Sequence, residues 1–95
     1  MPIKEVSLVA KRLDPGDLAK KIHLKKSEQV YLSALHGYYF YLGRWIEEGK
    51  PRMGHTADMK DRYLGEIRDC FPDARADKLI AATAELVQEG EKIGV

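Results

Sequence analysis

After residue 14 the hydrophobic positions of this chain recur at helical spacing almost without interruption, and one stretch carries far more of them than a surface helix needs. Over residues 27–48, SEQVYLSALHGYYFYLGRWIEE, the side chains of Val30, Tyr31, Leu32, Ala34, Leu35, Tyr38, Tyr39, Tyr41, Leu42, Trp45 and Ile46 share one side. At 100° per residue they fill an arc of roughly 200°, about twice the stripe of an ordinary amphipathic helix. A helix covered to that extent requires neighbours on two sides, so 27–48 is expected to be the long central helix of the fold. The remaining arc holds Gln29, Ser33, His36, Gly37, Gly43, Arg44 and Glu47, with Phe40 alone near its centre.

The flanking segments follow the same period. Residues 3–13 place Ile3, Val6, Val9, Ala10 and Leu13 on one helical face, although Val6, Leu8 and Ala10 also alternate as in a strand. No other segment offers a strand to pair with, so a helix is expected there. The turn residues Asp14-Pro15-Gly16-Asp17 interrupt it, and a short helix restarts at Leu18 with Asp17 as its cap. Ser27 is the expected cap of the central helix, which ends near Gly49 ahead of Pro51. Thr56 is the expected cap of a helix over 57–71, whose Met59, Tyr63, Leu64, Ile67, Cys70 and Phe71 lie within roughly 140°. Asp73 caps the last helix, and Gly90 is its expected stop. The pattern therefore predicts an all-α fold: a small bundle of four helices plus one short helix, forming a single domain over residues 1–95.

Composition narrows the functional classes. Of the eight aromatic residues, four tyrosines, the only tryptophan and one of two phenylalanines fall in 27–48. The longest apolar run is broken by His36, Gly37 and Arg44, so no membrane span or membrane partner is expected, and the N-terminal residues lack a secretory pattern, so a cytoplasmic location is expected. The net charge of +1 conceals an asymmetry: residues 1–52 hold ten Lys/Arg against six Asp/Glu, and residues 53–95 hold six against nine. Such a division speaks to association rather than to fold.

Candidate chemistry is sparse. His23, His36 and His55 lie in three different segments without metal-ligand spacing, and the single Cys70 sits on an apolar helix face. The glycines form no phosphate-cradling loop. With no nucleophile and base in register, neither a catalytic residue nor a metal or cofactor is assigned, and the chain is expected not to be an enzyme.

Two binding surfaces remain. Residues 17–35 have the outline of a helix-turn-helix DNA-binding regulator, with Ala19 at the small position, Ile22 and Leu24 about the turn, and Lys20, Lys21, Lys25 and Lys26 available to phosphates. His23 stands where that turn usually has glycine, Gln29 stands where an apolar residue is wanted, and a near-neutral net charge suits nucleic acid poorly. The sequence favours the second surface, which meets another protein. A 95-residue bundle has little interior for six aromatic residues on one helix, and Phe40 lies on the polar arc among Gln29, His36, Gly37, Arg44 and Glu47, beside Tyr41. The resulting expectation is a non-enzymatic protein-binding module, an inhibitor or accessory regulator acting through 27–48, with a second copy of the chain among its candidate partners.

Overall fold

The computed structural model describes the backbone of residues 13–94 and the side chains of residues 13–88; of the helix expected over 3–13, residues 3–12 lie outside the described residues, and Leu13 is not helical. The fold is all-α. In chain order the elements are α1 (Pro15–Lys21), a short 3₁₀ helix (Lys26–Tyr31), α2 (Leu32–Glu47), α3 (His55–Cys70) and α4 (Asp73–Gly94). α2 touches each of the others and packs most extensively against α3, the central position that its broad apolar arc demands. Leu18 of α1, Leu35 of α2, Ile67 of α3 and Leu79 of α4 are essentially inaccessible to water and meet in one core. Burying each such side chain contributes about 1.5–3 kcal/mol, so the four helices are held mainly by this shared centre.

The helix ends differ from expectation by a few residues, each for a physical reason. α1 begins at Pro15 because Asp14, not Asp17, is its cap: the Asp14 carboxylate accepts the Asp17 N–H at 2.8 Å, and proline suits a first helical position that has no partner for an N–H. α1 closes with the His23 N–H donating to the Lys20 carbonyl and the Leu24 N–H to the Ala19 carbonyl, which puts His23 at a left-handed φ of 57°. A residue with a Cβ is strained there by about 1–2 kcal/mol. Exchanging His23→Gly should accordingly raise the unfolding free energy by about 1 kcal/mol in a urea titration, the gain being trimmed by the looser unfolded chain.

The central segment opens as a 3₁₀ helix rather than an α-helix, and Lys25, not Ser27, stands at its cap, its N–H held by Glu28 Oε1 at 2.9 Å. Three residues per turn instead of 3.6 advance each side chain by about 20° relative to the α wheel, which carries the first residues of the predicted arc out of phase. Val30 is 75% exposed and Tyr31 is exposed with its ring edge on Phe71 at 5.3 Å. α2 ends where predicted, with Gly49 at φ 89° and its N–H on the Ile46 carbonyl.

Thr56 does not cap α3. Gly54 does, at φ 119°, while Thr56 is buried and donates its hydroxyl to Glu48 Oε2 at 3.0 Å, tying the start of α3 to the end of α2. The connecting loop is fixed by Trp45, whose indole N–H donates to the Pro51 carbonyl at 2.7 Å and whose ring lies 4.5 Å beneath the Lys60 ammonium. At the start of α4, Pro72 supplies the capping carbonyl and Asp73 sits one position inside, where a negative charge favours the helix dipole. α4 then runs through Gly90 to Gly94 instead of stopping. A mid-helix glycine costs only about 1 kcal/mol, and the intervening Glu91 and Lys92 are good helix formers.

Candidate functional site

The polar arc of α2 divides into residues that stay on the surface and residues that the chain uses for itself. Phe40 remains 38% exposed, its ring edge-on to Tyr41 at 5.1 Å and under the Arg44 guanidinium at 6.0 Å. Arg44 is exposed and also lies 3.8 Å from the Glu48 carboxylate one turn on. Glu47 is exposed at the last residue of α2. Gln29 is exposed too, but it belongs to the 3₁₀ turn, where the change of pitch rotates it by about 60° over the three steps to Leu32 and away from the Phe40 line.

His36 has an internal task. Its Nε2 lies 3.2 Å from the Leu13 carbonyl, and because a carbonyl only accepts, the ring carries its proton on Nε2. Tyr39 Oη accepts the Leu13 N–H at 3.0 Å, so both polar groups of one residue of the chain's entry into α1 are fastened to α2. The imidazole expected to face a partner is thus half-buried against its own chain.

Gly37 is likewise turned to internal use. A Cβ there would lie 2.5 Å from Cε1 of Tyr63, so the missing side chain is what lets α3 lay its tyrosine across α2. The close approach expected for a foreign backbone is made by the protein's own ring. Gly37→Ala should cost about 1–2 kcal/mol despite the better helix propensity of alanine. In a Tyr63→Ala background the same change should be neutral or stabilising, a coupling that a double-mutant cycle of urea melts reads directly.

Tyr63, in turn, builds the part of the surface that sequence reasoning missed. Its ring stacks on Tyr41 at 5.8 Å with the planes 16° apart, and the exposed His55 meets Tyr41 edge-on at 6.0 Å. Phe40, Tyr41, Tyr63 and His55 therefore form a contiguous aromatic strip across the α2–α3 junction, with Arg44 at one side. The helical period assigns Tyr63 to an ordinary apolar stripe and leaves His55 in a loop, and no local pattern joins them to Phe40. Only the packing of α3 on α2 does so.

The lysine-rich turn has its own geometry. Ala19 and Ile22 are buried and Leu24 is half-buried, as a helix-turn-helix corner requires, and His23 takes the left-handed conformation usually given to glycine. Lys20, Lys21, Lys25 and Lys26 are all exposed. The second element, however, is a 3₁₀ helix that feeds straight into the core helix α2, so no separate recognition helix is presented. Behind the turn, Arg75 of α4 grips Glu28 with two hydrogen bonds, 2.9 Å from Nε to Oε2 and 2.7 Å from Nη2 to Oε1, and reaches the His23 carbonyl at 3.3 Å. The guanidinium holds the Glu28 carboxyl down at about 2, well below the usual carboxylate range, and the Lys25 N–H adds to the effect against the opposing influence of burial.

Among the described residues no three of His, Cys, Asp and Glu gather to hold a metal ion, and no helix is long and apolar enough to cross a membrane. Comparison with protein-family models, with curated proteins and with solved structures finds no match.

Proposed function

We propose that the protein is a small non-enzymatic binding module that engages another protein through the aromatic strip of α2 and α3, acting from the cytoplasm as an inhibitor or accessory regulator. The observation that carries this reading is the strip itself. Phe40, Tyr41, Tyr63 and His55 lie ring to ring at the surface, with an arginine over the most exposed of the three carbocyclic rings. Tyrosine, phenylalanine and arginine gathered this way supply large apolar area, few rotatable bonds and polar edges, the composition of an interface hot spot. A second copy of the chain could be the partner, since a strip of this kind is able to pair with itself across a two-fold axis.

Site-specific photo-crosslinking tests the surface whatever the partner is. A benzophenone side chain placed at position 40 or 44 should give a discrete protein adduct in the native host, a self-adduct identifying the homodimer. The same probe at Lys78, exposed on α4, should give none. Adducts from position 78 but not from 40 or 44 would move the surface elsewhere.

A further inference from the structure

The turn between α1 and the 3₁₀ helix holds charge that the aromatic strip does not use. Lys20 and Lys21 close α1, Lys25 and Lys26 open the next element, and all four are exposed. Residues 18–27 contain no carboxylate. The first acid after them, Glu28, gives both its oxygens to Arg75 and only part of its charge to the neighbouring Lys25, and the acid before them, Asp17, sits at the opposite end of α1 from Lys20 and Lys21. Nor is the turn a loose loop. The Leu24 N–H on the Ala19 carbonyl, the Lys25 N–H on Glu28 and the Arg75 guanidinium on the His23 carbonyl hold its backbone in place from three directions.

We infer that this lysine turn is a second binding surface, one that holds the phosphate backbone of nucleic acid without reading its bases. Four cations on an ordered backbone lose little freedom when they meet a regular row of phosphates, and each contact releases counterions. Lysine is a point charge without the planar fork that pairs with a base edge, and Arg75, the arginine that the described residues place behind this turn, is engaged by Glu28. Sequence preference is therefore not expected. An anionic bilayer would also attract lysines, but surface-binding segments add apolar side chains that enter the lipid. Here Leu18 and Ile22 are buried and Leu24 half-buried in the core, and among the described residues beside the turn the exposed large hydrophobics are Val30 and, with its ring on Phe71, Tyr31.

Fluorescence anisotropy with a labelled DNA duplex of arbitrary sequence tests the inference on the whole protein. Four phosphate contacts predict that affinity falls roughly a hundredfold between about 50 and 200 mM salt. Replacing Lys25 and Lys26 by alanine should reduce affinity and roughly halve that slope, replacing all four lysines should abolish binding, and scrambling the duplex sequence should change nothing. Phe40→Ala should leave duplex binding intact, which separates this surface from the aromatic strip. Circular dichroism confirms that each variant is folded; if the fourfold variant is not, Lys25→Glu with Lys26→Glu must still remove binding. Absence of salt-dependent binding, binding indifferent to the lysines, or preference for phosphatidylserine vesicles over the duplex would each overturn the inference.

Discussion

Leu35→Ala is expected to destabilise the protein by about 3–5 kcal/mol, the upper part of the range for a large aliphatic side chain removed from a tight core. Leu35 has no exposed surface and sits in α2, in the cluster shared by Leu18, Ile67 and Leu79. The loss combines the transfer free energy of the deleted atoms with the cavity left among four helices that converge from different directions. They cannot all close on it. A domain of this length has about 5–14 kcal/mol of stability in total, so the variant should unfold at far lower urea and lie close to unfolding at body temperature. Lys78→Ala, exposed on α4, should shift the midpoint hardly at all. A loss below about 1 kcal/mol at Leu35 would mean that the site collapses easily and that the helices are not held by this centre.

Arg75→Met should cost about 2 kcal/mol, and the effect should depend on pH. Its guanidinium joins α4 to Glu28 and to the His23 carbonyl, across a junction in which the two charged side chains are only 20% and 14% exposed. Removing it leaves a largely covered carboxylate with the Lys25 N–H and costs the strained His23 turn its outer support. The direction with pH follows from proton binding. Folding keeps Glu28 ionised down to about 2, whereas in the unfolded chain it takes up a proton near 4.5. The stabilisation is therefore complete above about pH 5 and disappears as the pH falls through that interval towards 2. Urea melts of wild type and Arg75→Met at pH 7 and near pH 2.5 should differ strongly in the first case and little in the second. An equal difference at both would show that Arg75 contributes by packing and not by its charge.

The helices could be read from the sequence because their information is local. The period of the apolar residues placed α2, α3 and α4, and Gly49 with Pro51 and Pro72 marked the ends of α2 and α3, whereas the stop expected at Gly90 is overrun by α4. Where expectation and structure part, the deciding interactions are distant or cooperative. Glu28, which also accepts the Lys25 N–H at the 3₁₀ opening of the central segment, is held by Arg75, 47 positions away. Thr56 turns from cap to buried donor because Glu48 at the end of the neighbouring helix is within reach. The same distinction governs the candidate site. Phe40 and Arg44 could be chosen from a helical wheel, since both lie on the polar side of a single element. His36 and Gly37 share that arc, yet they serve Leu13 and Tyr63, contacts that exist only after the chain has closed on itself.

The measurement that bears most directly on the aromatic strip as a working surface is a paired one, stability and association determined on the same Phe40→Ala protein. Phe40 shares contact with Tyr41 and Arg44 but stays outside the buried core, so thermal or urea unfolding should lose about 1 kcal/mol or less. Association with the crosslinked partner, or self-association followed by sedimentation, should weaken by about 1–4 kcal/mol, with a smaller and salt-sensitive loss for Arg44→Ala. The opposite pattern, a folded state lost by several kcal/mol while the fraction that remains folded associates as before, would contradict the account and make Phe40 a structural residue.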